Sequence, residues 1–249
     1  RRIELYAPID MQAAVPNKST YATRRVIRNG QFDAKDSPDW QTEVFSSQAS
    51  YSAANPTQLN NVANVANIPV GSLITGAGVG REVYVRAKNI GAGSLTLSLP
   101  LFDAEGTQIF TFTRFKYMLD FSGFDSLSKF AIEGVEFQCA NRTNAVLLAP
   151  SGLLFQVSDS FITKPKDRGI TSPGRGCQGM TIDRCQFISG ESSKKVQDRT
   201  SIALNANAND VKLRDNRCAQ TRHFAILAGG GNLISGNHWF HGDNETNGI

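Results

Sequence analysis

IEGVEF, at residues 132–137, begins with an apolar anchor, has a small residue three positions on and ends with an aromatic residue five positions on. The arrangement returns as VSDSFI at 157–162, IDRCQF at 182–187, LRDNRC at 213–218 and ISGNHW at 234–239. The anchors are Ile132, Val157, Ile182, Leu213 and Ile234, so successive anchors are 25, 25, 31 and 21 residues apart. Repeats of about 20 to 50 residues are typical of folds in which each repeat buries its apolar face against its neighbours.

A second short strand is predicted after each of the first four anchors, at residues 146–148, 170–172, 202–204 and 224–226. Polar turn segments such as NANAN at 205–209 and GGGN at 229–232 separate the stretches. No repeat carries a long apolar stripe of period 3.6, which argues against helical repeats. The sequence therefore predicts an all-β chain, a right-handed single-stranded parallel β-helix whose coils stack about 4.8 Å apart.

Two positions of the repeat predict specific roles. The residues five positions after the anchors should form an inward ladder, and they are Phe137, Ile162, Phe187, Cys218 and Trp239. Asn216 and Asn237 lie three positions after their anchors, where we expect the backbone to turn and the amides to bond local backbone groups. Both asparagines are therefore interpreted as structural.

The repeat also divides the chain. IRNGQF at 27–32 has the same signature, so residues 1–45 are predicted to hold the first coil or coils. Residues 46–114 are predicted to be an inserted β-rich module, in which a loop-like stretch at 46–67 precedes alternating, antiparallel strands. A strand pair, 108–112 with 115–119, should return the chain to the coils of residues 115–249. Since the chain ends inside a coil, we expect it to be part of a longer protein, truncated at its C-terminal end.

Composition excludes several classes of function. The net charge of +4 is spread along the chain, and no nucleic-acid motif or transmembrane stretch is present, so neither nucleic acid binding nor membrane insertion is expected. The cysteines form no C-x-x-C pair and no close group with histidine; they are Cys139, Cys177, Cys185 and Cys218. Neither a metal nor another cofactor is therefore expected. Cys185 and Cys218 are predicted to be buried, and a disulfide is unsupported.

Four segments resemble pectate-lyase-like spike proteins: APIDM at 7–11, RRVIRNG at 24–30, GREVYVR at 80–86 and DFSGF at 120–124. More narrowly, the chain is similar to proteins related to glycoside hydrolase family 28, of the kind found as head spikes or fibres of rhodobacterial gene transfer agents. The resemblance implies a homotrimeric spike, made in the bacterial cytoplasm and carried beside other structural proteins on the surface of a phage-like particle. After release, such a spike would hold the capsular polysaccharide of a recipient bacterium.

Whether the chain also cuts that glycan depends on a catalytic site. The Gly-His-Gly segment that the family resemblance would predict is absent, which favours binding over catalysis. Asp159, Arg184 and Asp215 each lie two positions after an anchor and should line one outer edge. The two aspartates would then be roughly 10 Å apart, near the upper limit for an inverting glycosidase. The alternative interpretation is a solvated charge ladder.

Other side chains are candidates for contact with sugar. Glu133 and Asp183 follow their anchors by one position and could extend a polar groove. His238, Phe240 and His241 place exposed rings around Trp239, although they could instead pack against a further coil. The hypotheses are therefore a binding spike, a polysaccharide hydrolase or lyase acting on the same glycan, and a purely structural shaft.

Overall fold

A computed structural model describes residues 1–14, 24–80, 82–102, 105–124, 126–174, 177–189, 202–221 and 223–240. These residues are almost entirely β-structure, as the repeat predicted, and they fall into two compact units. Unit 1 comprises Arg1–Gln41 and Lys116–Ile249, and unit 2 comprises Thr42–Phe115. Each unit has its own cluster of buried apolar side chains.

Unit 1 contains a short helix, α1 (Met11–Ala14), a 3-10 turn (Pro38–Trp40) and most of the strands. Its first strands are β1 (Arg2–Leu5), β2 (Ile9–Asp10) and β3 (Arg25–Ala34). After unit 2 the chain continues through β10 (Tyr117–Asp120), β11 (Leu127–Ser128), β12 (Phe130–Gln138), β13 (Asn144–Leu147), β14 (Gly152–Leu153), β15 (Gln156–Ser158), β16 (Phe161–Thr163) and β17 (Arg168–Ser172). The last strands are β18 (Thr181–Asp183), β19 (Gln186–Ile188), β20 (Ile202–Ala206), β21 (Lys212–Arg214), β22 (Arg217–Ala219), β23 (His223–Leu227), β24 (Leu233–Ser235) and β25 (His238–Phe240).

The strand pairs of unit 1 are parallel throughout its described residues. One sheet runs β24-β21-β18-β15-β12-β16-β19-β22-β25, with β3 and β1 attached through β12, and another runs β2-β10-β13-β17-β20-β23. A two-stranded sheet, β11-β14, completes the unit. The predicted anchors lie in register as the series Ile27, Ile132, Val157, Ile182, Leu213 and Ile234. The repeat therefore predicted these pairings correctly, including the one between β3 and β12.

The predicted inward ladder is confirmed. The series Phe32, Phe137, Ile162, Phe187, Cys218 and Trp239 lies in register across β3, β12, β16, β19, β22 and β25. Every member is buried except Trp239, which is half-buried and packs against the same cluster. The rings of Phe32 and Phe137 stack with their centroids 5.6 Å apart. Each fully buried large side chain contributes roughly 1.5 to 3 kcal/mol to folding.

The backbone turns in the left-handed conformation at a fixed place in every repeat. Two positions after the anchors lie Asn29, Gly134, Asp159, Arg184, Asp215 and Gly236, with φ values of 55°, 61°, 52°, 52°, 55° and 65°. Glycine, asparagine and aspartate adopt this conformation at the least cost. Most residue types of this series therefore follow from backbone geometry, and Arg184 is the exception.

Asn216 and Asn237 lie next to these turns, as predicted, but their amides bond backbone groups that are distant in the chain. The Oδ1 of Asn216 accepts from the Cys185 amide at 3.0 Å, and its Nδ2 donates to the Ile182 carbonyl at 3.0 Å and to Asn237 Oδ1 at 2.9 Å. Asn237 in turn donates to the Leu213 carbonyl at 2.9 Å. The prediction of local partners was wrong because the parallel register brings the neighbouring strand closer than the residue's own turn.

Unit 2 is an antiparallel sheet in the order β6-β9-β4-β5-β8-β7. Its strands are β4 (Glu43–Tyr51), β5 (Gln58–Asn60), β6 (Leu73–Thr75), β7 (Val85–Asn89), β8 (Ser94–Leu97) and β9 (Gly106–Arg114), with a 3-10 turn at Val65–Asn67. The antiparallel pairing predicted for this segment is confirmed.

Two predictions about unit 2 and its exit were wrong. The stretch at 46–67 is not loop-like throughout, because it contains most of β4 and all of β5. Residues 108–112 do not pair with 115–119: β9 pairs with β4 and β6, whereas β10 pairs in parallel with β13 and β2. The first error arises because β4 alternates polar outward residues with the small buried residues Ser47 and Ala49, so its composition resembles that of a loop.

Candidate functional site

A surface groove of about 470 Å³ lies in unit 1 beside the left-handed turns of β3, β12 and the β15–β16 connection. Its walls are formed by residues two, three and four positions after the anchors, together with the two N-terminal arginines. They are Arg1, Arg2, Asn29, Gly30, Gln31, Gly134, Val135, Glu136, Asp159 and Phe161. The groove therefore runs across neighbouring parallel strands, and it includes one of the predicted site residues, Asp159.

Phe161 gives the groove an aromatic wall. In β16 the next residue, Ile162, points into the core, so the alternation of the strand turns Phe161 outward, where it is 41% exposed. Phe161 lies in register with Glu136 on one side and Gln186 on the other. An exposed ring beside polar neighbours is suited to pack against the apolar face of a ligand whose edges are polar.

Glu136 is held in place by two amide side chains. The Nε2 of Gln31 donates to one carboxylate oxygen at 3.0 Å, and the Nε2 of Gln138 donates to the other. Neither partner is charged. Since each carboxylate oxygen can accept more than one hydrogen bond, Glu136 keeps acceptor capacity toward the groove.

Asp159 is paired with Arg184, which occupies the same turn position on the neighbouring strand. The Nε and Nη2 of Arg184 donate to the two oxygens of Asp159 at 2.7 and 2.8 Å, so the pair is bidentate. This hydrogen bonding by Arg184 is the main cause that lowers the pKa of Asp159, and the charge of the guanidinium adds to it. Asp159 is therefore ionised at neutral pH, which suits a hydrogen-bond acceptor or a base and not a general acid.

Asp215 occupies the same turn position two strands away, with Arg184 in the strand between them. Within the part of the chain that the structure describes, Asp215 makes no ion pair. Its Oδ1 lies only 2.1 Å from where a Cβ on Gly236 would stand. The carboxylate of Asp215 therefore covers the next turn, which explains why that turn requires glycine.

Glu133 and Asp183 follow their anchors by one position, and both are engaged by arginines. Glu133 accepts from Arg24 and from Arg28, whose Nη2 is 2.8 Å from Oε2. The Oδ2 of Asp183 accepts from Arg184 at 2.6 Å and from Arg214 at 3.2 Å, and the Asp183 side chain is only 4% exposed. Asp183 therefore acts as a buried anchor for two arginines, whereas Glu133 remains partly accessible.

His238 and Phe240 lie on the outer face of β25, with their ring centroids 5.1 Å apart. Phe240 is 44% exposed, and Trp239 between them turns toward the core. The candidate His241 lies outside the described residues. The structure thus brings two of the three predicted rings together, away from the residues that line the groove.

The sequence reasoning missed Glu136, Phe161 and Gln31 because it did not follow the position four residues after each anchor. In register, that position holds Gln31, Glu136, Phe161, Gln186, Arg217 and His238. An aromatic residue in an otherwise polar series is the signal that could have identified Phe161.

Burial makes the cysteine thiols poor nucleophiles and poor metal ligands. All four cysteines are free and buried, and loss of hydration raises the pKa of Cys177, Cys185 and Cys218 to about 12 and that of Cys139 still further. The described residues contain no group of three or more His, Cys, Asp or Glu side chains that could hold a metal ion. Among them, too, no helix is both long and apolar enough to cross a membrane.

Comparison with known proteins does not assign a family. No protein-family model matches the chain, and none of the curated proteins matches it.

Proposed function

We propose that unit 1 is a right-handed single-stranded parallel β-helix and that the chain is a spike of a phage-like particle that binds the capsular or surface polysaccharide of a recipient bacterium. The observation that carries the binding proposal is the groove, in which the exposed ring of Phe161 lies beside Glu136, its neighbour in register, and the carboxylate of Asp159 also lines the wall. The resemblance of the sequence to pectate-lyase-like spikes supports the placement on a particle.

The β-helix proposal is supported by repeated geometry. The same anchor and the same inward residue recur in register through six strands, and a left-handed turn recurs between them. A second left-handed series lies three positions before the anchors, at Lys129, Leu154, Gly179, Asp210 and Gly231. A chain that turns at equivalent corners in each repeat stacks its strands in parallel layers.

The groove fits the chemistry of an extended glycan. Pyranose rings have apolar faces and hydroxyl edges, so an aromatic wall with carboxylate acceptors in the same groove can hold them. The carboxylates of Glu136 and Asp159 are already oriented by side-chain hydrogen bonds, which lowers the entropy lost on binding. Because the wall residues belong to successive parallel strands, a polysaccharide chain could continue across the strands.

Binding without cleavage is favoured by the state of Asp159. An inverting glycosidase needs one carboxylic acid with a raised pKa, whereas Arg184 lowers the pKa of Asp159. The alternative, a polysaccharide hydrolase or lyase, is supported by the alignment of Asp159 and Asp215 on one edge, two strand spacings or roughly 10 Å apart. In that alternative Asp159 would be the base.

The two functions are separated by following binding and new chain ends together. Purified protein is mixed with recipient capsular polysaccharide, while retention and the appearance of reducing or unsaturated ends are measured. Asp159→Asn and Asp215→Asn are the suitable variants, because alanine at φ values of 52° and 55° would add backbone strain. Binding without new ends supports the spike; steady release that both variants abolish supports the depolymerase. A wild-type chain that neither binds nor cuts contradicts both.

The assembly state is a separate proposal. The resemblance implies a homotrimer that contacts other structural proteins of the particle, and extracellular exposure after release. Light scattering on the longest available version of the chain tests this part. A mass three times that of one chain is expected, and a mass of one chain would remove the trimer from the proposal.

A further inference from the structure

We propose that the glycan held in the groove of unit 1 continues from Phe161 to the rings of β25, and that it is a heteropolysaccharide in which an acidic sugar, bound by Arg217, is flanked by neutral sugars. The proposal rests on the proposed function, because it extends the same binding surface. The extension is called the outer column. It comprises the residues four positions after the anchors on β16, β19, β22 and β25, which are Phe161, Gln186, Arg217 and His238.

The parallel register places the outer column in one line on the outside of the sheet. Phe161 pairs with Gln186, which in turn pairs with Arg217, and Arg217 pairs with His238. In each strand the next residue belongs to the core cluster or packs against it, so the residues of the column point outward. Neighbouring strands lie about 4.8 Å apart, and the distance from β16 to β25 is therefore roughly 14 Å. Since Phe161 also lines the groove, the column continues the groove across further strands.

Exposed aromatic rings lie at both ends of the outer column. Phe161 is at one end, and at the other end the ring of His238 lies 5.1 Å from that of Phe240, which also points outward. A strand added beside β25 would extend the column and leave both rings outward, because parallel pairing keeps outward residues in register. Ring sites at both ends of one face suit a chain of sugars that offers an apolar face to each of them. A disaccharide is too short to reach both ends.

Arg217 supplies a positive charge between these rings. Its side chain is exposed, and no residue in the part of the chain that the structure describes forms an ion pair or a hydrogen bond with the guanidinium. By contrast, Arg28, Arg184 and Arg214 of the same sheet are each paired with a carboxylate. A guanidinium presents a fork of donors that matches the two oxygens of a carboxylate, so Arg217 is suited to bind an acid group of a ligand.

The spacing of charge along the outer column selects the class of ligand. A polysaccharide with an acid group on every sugar, or a single-stranded nucleic acid, would place several anions along the column, whereas only Arg217 offers a lasting positive charge there. Glu136, in register with Phe161 on the groove side, would repel an acid group bound at that ring. The amide of Gln186 and the ring of Phe161 suit neutral sugars instead. A chain with isolated acidic sugars among neutral ones therefore fits the column.

The test measures binding of the whole chain to recipient capsular polysaccharide and to gellan, whose repeat has one uronic acid among neutral sugars. Each is used before and after chemical reduction of its carboxyl groups, beside polygalacturonate, in which every sugar is acidic. The native form should bind about fivefold more tightly than the reduced form at low salt, as expected for one exposed ion pair. High salt should remove most of this preference, because it screens the attraction. Polygalacturonate should bind more weakly than native gellan.

Substitutions assign the preference to the outer column. Arg217→Gln should lower binding of the native polysaccharide to that of the reduced one and leave binding of the reduced one unchanged, because both changes remove the same interaction. Arg217→Lys keeps the charge and should retain most of the preference. The matched control, Lys212→Gln, removes one positive charge from an exposed position of β21, outside the column, and should change neither affinity. Phe240→Ala should weaken binding of both forms.

The possible outcomes separate this proposal from the proposed function. Equal binding of the native and reduced forms, or a preference that survives in Arg217→Gln, overturns the acidic ligand, and so does displacement of gellan by single-stranded DNA. If capsule binding depends on Phe161 but not on Arg217 or Phe240, the groove remains and its extension is wrong. A chain that binds gellan through Arg217 but does not bind the capsule contradicts the proposed function alone. Binding of no polysaccharide contradicts both. The salt dependence of the wild type decides the matter if a variant fails to fold.

Discussion

The core of unit 1 contains series of buried residues that recur in register on neighbouring parallel strands. The core of unit 2 has no such series, and its members are set by the alternation of inward and outward residues along each antiparallel strand. The series from Phe32 through Phe137 to Trp239 continues across six parallel strands. In unit 2, Phe112 instead faces Phe45 in β4 and Ile74 in β6, and Phe110 faces Ser47 in β4, so no residue type recurs along a series. Because the series recurs, this part of the fold can be predicted from the sequence. A cavity at one position of the series also affects the strands on both sides of it.

The two cores can be compared by removing one large buried side chain from each unit. Phe137→Ala should lower the free energy of unfolding of unit 1 by about 3 to 5 kcal/mol, because it empties a site between two stacked strands. Both tryptophans, Trp40 and Trp239, belong to unit 1, so urea unfolding followed by tryptophan fluorescence reports on that unit.

Phe112→Ala is the matched change in unit 2, at a residue that is equally buried. Since the two units have separate cores, it should shift the unfolding transition seen by circular dichroism and leave the tryptophan-monitored midpoint unchanged. If both variants move the tryptophan transition equally, the units unfold as one and the comparison fails.

The second test concerns the asparagine series, which has no counterpart in unit 2. Asn216→Ala leaves the buried Cys185 amide and Ile182 carbonyl without their partner. At about 1 to 3 kcal/mol for each unpaired group, a loss of at least about 2 kcal/mol is expected in the same unfolding assay. Asn89→Ala, at an exposed turn of unit 2, should cost about 0.5 kcal/mol or less. If both variants lose only about 0.5 kcal/mol of unfolding free energy, the hydrogen bonds of the asparagine series do not stabilise unit 1.

The third test is pH dependence at the groove. Because Arg184 lowers the pKa of Asp159 in the folded chain, the pair stabilises the fold above the ordinary value of 3.8, and this contribution disappears as pH falls through the lowered pKa. Both side chains are 53% exposed, so screening limits the contribution to about 1 kcal/mol or less. Wild type should exceed Asp159→Asn in stability at pH 6, and the difference should narrow as the pH is lowered below 3.8.

The control for this pH series is Asp36→Asn, whose side chain is 95% exposed. It should match wild type within error at every pH. A stability difference between wild type and Asp159→Asn that does not narrow as the pH is lowered would contradict the ion pair as its cause, because protonation of Asp159 removes the pair.

The smallest expected effect is on thiol reactivity, which again reports only on unit 1, since all four cysteines lie there. Burial raises their pKa values, so none should react with Ellman's reagent at pH 8 in the folded chain, and four should react after denaturation. Phe137→Ala should accelerate the reaction, and Phe112→Ala should not. A rapidly reacting thiol in the native wild type would place a cysteine outside the core.

The repeat made most of unit 1 predictable. The anchors and the inward ladder could be identified because parallel register carries an apolar residue to the same position in each repeat. The outward positions could not be identified in this way. Polar residues vary freely there, and Phe161 stood out only once Glu136 was known to be its neighbour in register.

Unit 2 was less predictable because it has no repeat. The long pairing of β4 with β9 joins residues about 60 positions apart, and Ser46, Gln48 and Ser50 give β4 a loop-like composition. The left-handed turns were predictable in principle. Glycine and aspartate favour this conformation, and they occupy the turn at Gly134, Asp159, Asp215 and Gly236. Arg184 is not such a residue type, and its side chain pairs with two aspartates.

We expect polysaccharide binding in the groove of unit 1 to depend on the exposed ring of Phe161. The dissociation constant for recipient capsular polysaccharide is measured by calorimetry for wild type and Phe161→Ala. Loss of an aromatic wall worth about 1.4 kcal/mol should weaken binding about tenfold without changing the unfolding midpoint, because the ring is already exposed. Two dissociation constants within a factor of two would contradict the claim.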